Sequence, residues 1–477
     1  MKNRRGLLQL EGLTERIVPA VSIRAVDGDL VISGIANLNT GAQRLFITVT
    51  ADNTVAIRDG GTSAATGTNR GSYEVTGDLI LNLSNRNDSV IIDFDGNFTL
   101  DGGITANLNN GTDSLSITNS GAANASISGA VTVDGGNGTD TLTITNDGAT
   151  STLSIDGAVT FNGQAGSDTI NINGTTTAIQ PIVIGNGLNL TRVNAVNVAS
   201  DTTTTGIDVT ISGNVVINAS SDKLIANTVT MGGTKGEVAI AGAFTVTGGQ
   251  GTDTITLEDV HVGDVVPAED EVIEVSFNLD RGANKLEFTS VEMGIVGTDV
   301  DFLYTGGTGG DIIDWSAGGN TFSGDVTLNL SNGTNTVTGN ATTSFDADVT
   351  INGGKNGDAI DLVTGDVFGL LSLSLGAGTN SLAAGGALDG GLTYVGGANA
   401  DTVNLTASEL IAGDVSISVG AGADNIDIAG TGTIIAASLI VDLGVDSAID
   451  NLDYDNELDS LITILNEGSG DLVVSTP

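Results

Sequence analysis

Acidic residues recur along this chain in one repeated setting: small residues, often Gly, then Asp or Asn, usually Ser or Thr, then alternating apolar residues. The fullest copies are Gly135-Gly136-Asn137-Gly138-Thr139-Asp140-Thr141-Leu142-Thr143-Ile144 and Gly248-Gly249-Gln250-Gly251-Thr252-Asp253-Thr254-Ile255-Thr256-Leu257. Related phrases mark Asp88, Asp113, Asp168, Asn284, Asp311, Asn335, Asp358, Asn380, Asp401 and Asp424, with weaker copies at Asn194 and Asp222. Carboxylate oxygens presented by successive turns suit a hard cation such as calcium. A second acidic run, Asp453, Asp455, Glu457 and Asp459 with Asp446 and Asp450 upstream, alternates oxygen donors along one loop but lacks EF-hand spacing, and reads equally as a solvated loop. A third grouping lies in the irregular stretch 258–304, where Glu258, His261, Glu269, Asp270, Glu271, Arg281 and Lys285 gather. A glycan-cleaving enzyme would draw its acids from here.

Composition narrows the chemistry. The 477 residues contain no Cys and one His, which removes thiol nucleophiles, disulfides and thiolate metal sites and leaves little scope for a Ser-His-Asp triad. With 58 Asp+Glu against 15 Lys+Arg the formal charge is −43, so nucleic acid is an unsuitable partner. Hydrophobic residues still make up 39%, enough for a core, while aromatics are 3%, so an aliphatic, β-branched interior and strands are expected. No apolar run reaches about 18 residues, so no membrane-spanning helix is expected.

The marks are 21 to 31 residues apart in this reading, the size of one supersecondary unit. Within a unit apolar residues alternate, as in Val131 and Val133, Leu142 and Ile144, Leu153 and Ile155, Val159 and Phe161, in blocks of strand length broken by Gly, Asn or Asp. Such a unit cannot bury its own apolar face. Stacking each strand on its counterpart about 4.8 Å away closes a continuous core. The expected fold is all-β, a right-handed parallel β-helix over 76–443. Residues 1–20 read as a leader, 21–75 as an N-terminal cap or atypical coils, and 444–477 as a closing unit in which Asp459-Ser460-Leu461-Ile462-Thr463-Ile464 echoes Asp113-Ser114-Leu115-Ser116-Ile117.

Two resemblances add expectations. Leu10-Glu11-Gly12-Leu13-Thr14-Glu15-Arg16-Ile17-Val18-Pro19-Ala20 resembles the LExLExRxxPA start of large, repetitive, exported planctomycete proteins, with Thr14 and Glu15 departing from that pattern. It implies a secreted or cell-surface destination. Gly135–Thr143, Gly248–Thr256 and Gly306–Asp314 fit G-G-x-G-x-D-x-U-x and resemble the calcium-binding repeats of RTX-type secreted proteins. That likeness implies calcium at Asp140, Asp253 and Asp311, although RTX repeats run in tandem and here one copy occurs per coil.

Carboxylates stacked about 4.8 Å apart repel by roughly 1–3 kcal/mol for dielectric constants between that of water and 20. From Asn284 to Asp401 the marks alternate Asn and Asp, which spaces the charges. Asp88, Asp113, Asp140 and Asp168 are consecutive, so a cation would sit there, or else these carboxylates splay into water. Repetition without a convergent polar pocket points to a non-enzymatic, structural or adhesive solenoid at the cell surface, with surface glycans or other surface proteins as partners. A β-helix polysaccharide lyase or hydrolase and an autotransporter-like passenger are the competing readings.

Overall fold

The structure is a computed structural model. It describes residues 21–34, 44–60, 63–148, 151–173, 181–199, 206–219, 226–233, 236–263, 273–294, 298–363, 365–406, 410–428, 434–435, 437–455, 462–468 and 470–476. Among these there are strands and no helix.

The chain is a parallel β-helix with three sheets. One coil shows how the residue pattern sets its shape. Val131–Asp134 lies in the first sheet, Thr141–Asn146 in the second and Leu153–Ile155 in the third, after which Val159–Asn162 returns to the first. Gly136 and Gly138 hold φ of 92° and 146° in the first corner, values that side-chain-bearing residues rarely adopt. In Thr141–Asn146 every second residue is buried, placing Leu142 and Ile144 inward and the threonines outward. Register preserves that choice from coil to coil: Val90, Leu115, Leu142 and Ile170 stack in one column, and Val131 sits on Val159. A slip by one residue would turn a whole strand inside out.

The interior is aliphatic over most of its length, but its middle differs from that expectation. Phe244, Phe277 and Phe302 from the first sheet, Phe288 and Trp315 from the second, and Phe322 and Phe345 from the third form a continuous aromatic cluster. Phe244 and Phe277 meet edge-on at 5.0 Å, and Phe322 stacks on Phe345 at 5.0 Å. Seven of the 16 aromatics of the sequence are thus gathered in one segment of the core, where ring quadrupoles add to area burial.

At the N-terminal end the strands turn antiparallel. Val21–Val26 pairs with Asp29–Gly34 through Asp27-Gly28, both at positive φ as in a type I′ turn, and Arg44–Ala51, Thr54–Asp59 and Thr68–Glu74 form a meander. These strands lie on the first coil, since Asp29–Gly34 pairs with Leu79–Asn82 and Arg44–Ala51 with Ser89–Phe94. At the other end Ile462–Leu465 belongs to the first sheet, beside Leu439–Asp442, whereas Ser114–Ile117, which it echoes in sequence, lies in the second. The second sheet is continued instead by Asn451–Asp455 and Leu472–Thr476.

Phe302, 1% exposed, touches Phe277, Phe288 and Phe322. Phe302→Ala is expected to cost about 3–5 kcal/mol, read as a lowered urea midpoint. A loss below about 1 kcal/mol would contradict this packing.

Candidate functional site

The repeated acid marks the corner where the chain leaves the first sheet for the second. There the strand ladder is interrupted, and a backbone N–H needs another acceptor. The side chain of the next coil supplies it. The Asp88 amide donates to Asp113 Oδ1 at 2.5 Å, that of Asp113 to Asp140 Oδ1 at 2.9 Å, that of Asp140 to Asp168 Oδ1 at 2.8 Å and that of Asp168 to Asn194 Oδ1 at 3.0 Å. The ladder continues in the same sense from Asp253 through Asn284, Asp311, Asn335, Asp358, Asn380, Asp401, Asp424 and Asp450 to Asp471. Between Asn194 and Asp253 the link passes through amide side chains, from Asn194 Nδ2 to Asn227 Oδ1 at 3.4 Å and from Asn227 Nδ2 to Asp253 Oδ1 at 2.6 Å. Each corner is also clamped in the other direction, as where Ser114 N–H donates to the Asp88 carbonyl and Thr141 N–H to that of Asp113.

These side chains are buried: Asp140, Asp168 and Asp311 are 0% exposed, Asp113 and Asp253 2%, and Asp88 3%. Carboxylates splayed into water are therefore not what the turns hold. Asn227 is the rung between Asn194 and Asp253, so the widest step is 33 residues, and Asp222, the candidate from sequence, lies outside the described residues. The first glycine of G-G-x-G-x-D also gains a reason. A Cβ on Gly306 would stand 2.0 Å from Asp311 Oδ2, and one on Gly396 2.0 Å from Asp401 Oδ2. Where the rung is Asn284, Asn335 or Asn380, the same position holds buried Leu279, Leu330 or Leu375. Leu108 and Val419 stand before Asp113 and Asp424, so bulk is tolerated beside some carboxyls as well.

Burial without a cationic partner raises the affinity of these carboxyls for protons. Asp113 is pushed up to about 7 by desolvation, with Asp140 and Asp88 adding repulsion. Asp168 reaches about 7 through desolvation and Asp140, Asp140 about 6 through desolvation and Asp134, and Asp424 about 6 through desolvation and Asp450, Asp401 and Asp446. The second oxygens of Asp113, Asp140, Asp168 and Asp424 are buried without a hydrogen-bond partner. Interleaved asparagines act oppositely. Desolvation also raises Asp253, Asp358 and Asp401, but amide donors from Asn227, Asn335 and Asn380 pull them back. The buried Tyr304 hydroxyl approaches the Asp311 carboxyl, without closing a hydrogen bond of normal geometry.

The oxygens of the turns are already engaged in part, and Asp113, Asp140 and Asp168 each leave one carboxyl oxygen unpartnered. One oxygen of each of Asp113, Asp140 and Asp168 already accepts a backbone N–H, and the turn carbonyls of Asn109, Gly136 and Ala165 accept N–H groups of neighbouring coils. Among the described residues no three acidic or His side chains converge to hold a metal ion. The second acidic run is dispersed: Asp450 is a ladder rung, Asp453 lies on the second sheet beside Asp427, Asp455 pairs with Thr476, and Glu457 and Asp459 lie outside the described residues. Glu269, Asp270 and Glu271 also lie outside them. His261 is flanked on the third sheet by Glu292 at 2.9 Å and Glu237 at 3.5 Å, and Lys285 pairs with Glu287 at 2.5 Å. Trp315, Tyr304 and Tyr394, rings that could have stacked on sugars, are 0% exposed.

Compared with protein-family models, curated proteins and solved structures, the chain matches none. Among the described residues no helix is long and apolar enough to cross a membrane.

Two outcomes follow from the ladder. A carboxyl whose folded pKa exceeds its ordinary value of 3.8 stabilises the fold below that ordinary value, and the contribution is lost as pH rises through the folded values near 6 to 7. The melting temperature should therefore fall between about pH 5 and pH 8. Asp113→Asn with Asp168→Asn, which keeps the acceptor and removes the proton, should flatten that fall, whereas exposed Asp156→Asn should not; equal slopes in all three would refute it. Gly306→Ala should destabilise by about 1–3 kcal/mol through overpacking against Asp311, measured by urea unfolding.

Proposed function

We propose that this chain is an exported, non-enzymatic β-solenoid that serves as a rigid spacer and adhesive element at the cell surface. The observation that carries this reading is the ladder, which joins coil to coil from Asp88 to Asp471. A rod in which each coil is bonded to both of its neighbours along the same corner resists bending. The acidic exterior keeps like rods apart in solution. Export rests on the likeness of residues 10–20 to the planctomycete leader. Calcium at Asp113, Asp140 and Asp168 would stiffen the rod further, beyond the bonds that backbone amides already make to one oxygen of each.

A carbohydrate-active enzyme is the second reading, favoured by the Glu237, His261 and Glu292 grouping on three successive strands of the third sheet. The two separate cleanly. Residues 1–20 fused to a reporter should carry it to the surface or medium of a planctomycete host, and the purified chain should appear in electron micrographs as straight rods without releasing sugar from polysaccharides. Reporter kept in the cytoplasm would overturn the surface role, and cleavage abolished by Glu292→Gln would transfer the assignment to the enzyme.

A further inference from the structure

The outward column of the second sheet breaks its own rule near the N-terminal end. From Ser116 through Thr143, Asn171 and Asn197 to Thr230 it holds small polar residues, but the two positions before Ser116 are Ile91 and Phe46. Phe46 is 7% exposed, although it faces away from the core that Leu45, Ile47 and Val49 of the same strand enter. The turn of residues 63–67 lies over it. That turn is closed on itself, since the Thr66 and Gly67 N–H groups donate to the Ser63 carbonyl. It is also fastened to the sheet by Arg58, the cross-strand neighbour of Phe46, whose Nη1 donates to the Gly67 carbonyl at 3.2 Å. The cover does not close on the apolar pair. Phe46, Ile91, Thr48, Asp93, Ser63 and Ala64 bound a cavity of about 320 Å³, a size that takes a small molecule.

We propose that this cavity binds a small organic cation, an ammonium carried on an apolar body. Phe46 and Ile91 sit on neighbouring strands about 4.8 Å apart and offer the apolar floor. Asp93, on the same face two residues beyond Ile91 and so roughly 6.6 Å along the strand, sets a carboxylate at one end of it. That separation suits an amine joined to a ring by a short linker. Asp93 accepts hydrogen bonds from the N–H and Oγ of Ser120, at 3.3 and 3.0 Å, and among the described residues no cation pairs with it. Desolvation pushes its carboxyl above the usual carboxylate range, the Ser120 bonds hold it down, and Asp95 and Asp147 raise it again by repulsion. A bound ammonium would offset both the burial and the repulsion. The arginines of these strands are placed elsewhere: Arg58 holds the turn, and Arg44 lines a separate cavity with Ser89 and Ser114. Floor and cover each have hydrogen bonds of their own, so little ordering is left for a ligand to bring about.

The full chain is titrated at physiological ionic strength with phenethylamine and with 3-phenylpropanoate, an anion of like shape, and binding is read by calorimetry and ligand-observed NMR. The amine should bind, and the acid should bind roughly 10-fold more weakly or not at all. Asp93→Asn should weaken the amine by roughly 10-fold or more, and Ala64→Trp should abolish its binding by filling the cavity. Exposed Asp156→Asn should leave it unchanged, with circular dichroism melts confirming that all three variants fold. A net charge of −43 attracts any cation, so equal affinity in the parent, Asp93→Asn and Asp156→Asn chains would mean attraction by the general field and would overturn the proposal. Absence of amine binding, or an acid held as tightly as the amine, would overturn it as well. Tighter binding of Nα-acetyl-lysine amide than of phenethylamine would give the cavity to a lysine of a partner protein and overturn the small-molecule assignment. None of these results bears on rod shape or reporter export, so a failure here is distinguishable from failure of the surface role.

Discussion

A backbone N–H at a sharp corner, turned away from the strand ladder, must find an acceptor or pay the cost of burial without one. In this chain the acceptor comes from a side chain one coil further on. That requirement explains why Asp and Asn interchange at the rung while neither gives way to an apolar residue at any rung named above. It explains why the next N–H reaches back to a rung carbonyl, and the carboxyl it places there leaves no room for a Cβ at Gly306 or Gly396. Three sheets can close around an aliphatic core only if their corners stay in step, and the ladder keeps the first corner in step from Asp88 to Asp471.

The same solution carries an electrostatic cost that is met in two ways. Where asparagines alternate with aspartates, amide hydrogens point at carboxyl oxygens and charges stand two coils apart, as at Asn335 with Asp358 and Asn380 with Asp401. Where Asp113, Asp140 and Asp168 follow one another, no amide intervenes, and burial raises the affinity of all three for protons. The rod therefore has segments of unlike pH response built from one repeated geometry. Outside, both sheets mix hydroxyls and amides with acids, as at Glu274 beside Asp301 on the first sheet and Thr143 beside Asn171 and Glu287 beside Asp314 on the second.

Much of the architecture was legible because period-two alternation in stretches such as Thr141–Ile144 leaves one burial choice, and a unit of that size has to stack. The rungs were legible as positions but not as environments. A turn Asp read alone belongs in water, and only the inter-coil amide shows why Asp140 is buried. Asn227 escaped notice because its coil step is longer and lacks the glycine phrase, and the echo of Asp113–Ile117 in residues 459–464 carries no information on which sheet a strand occupies. The aromatic cluster could have been suspected from the crowding of Phe and Trp between 244 and 345. Its contacts depend on three sheets meeting, which local patterning does not specify.

The most direct measurement is native-state hydrogen exchange at the Asp113 amide in the parent chain, in Asp140→Asn and in Asp140→Ala. If the rung side chain is the acceptor that holds neighbouring coils together, Asn preserves protection of that amide and Ala removes most of it, while amides in the aromatic segment stay protected. Equal protection of Asp113 in all three proteins would mean that the corner is held by something other than the ladder.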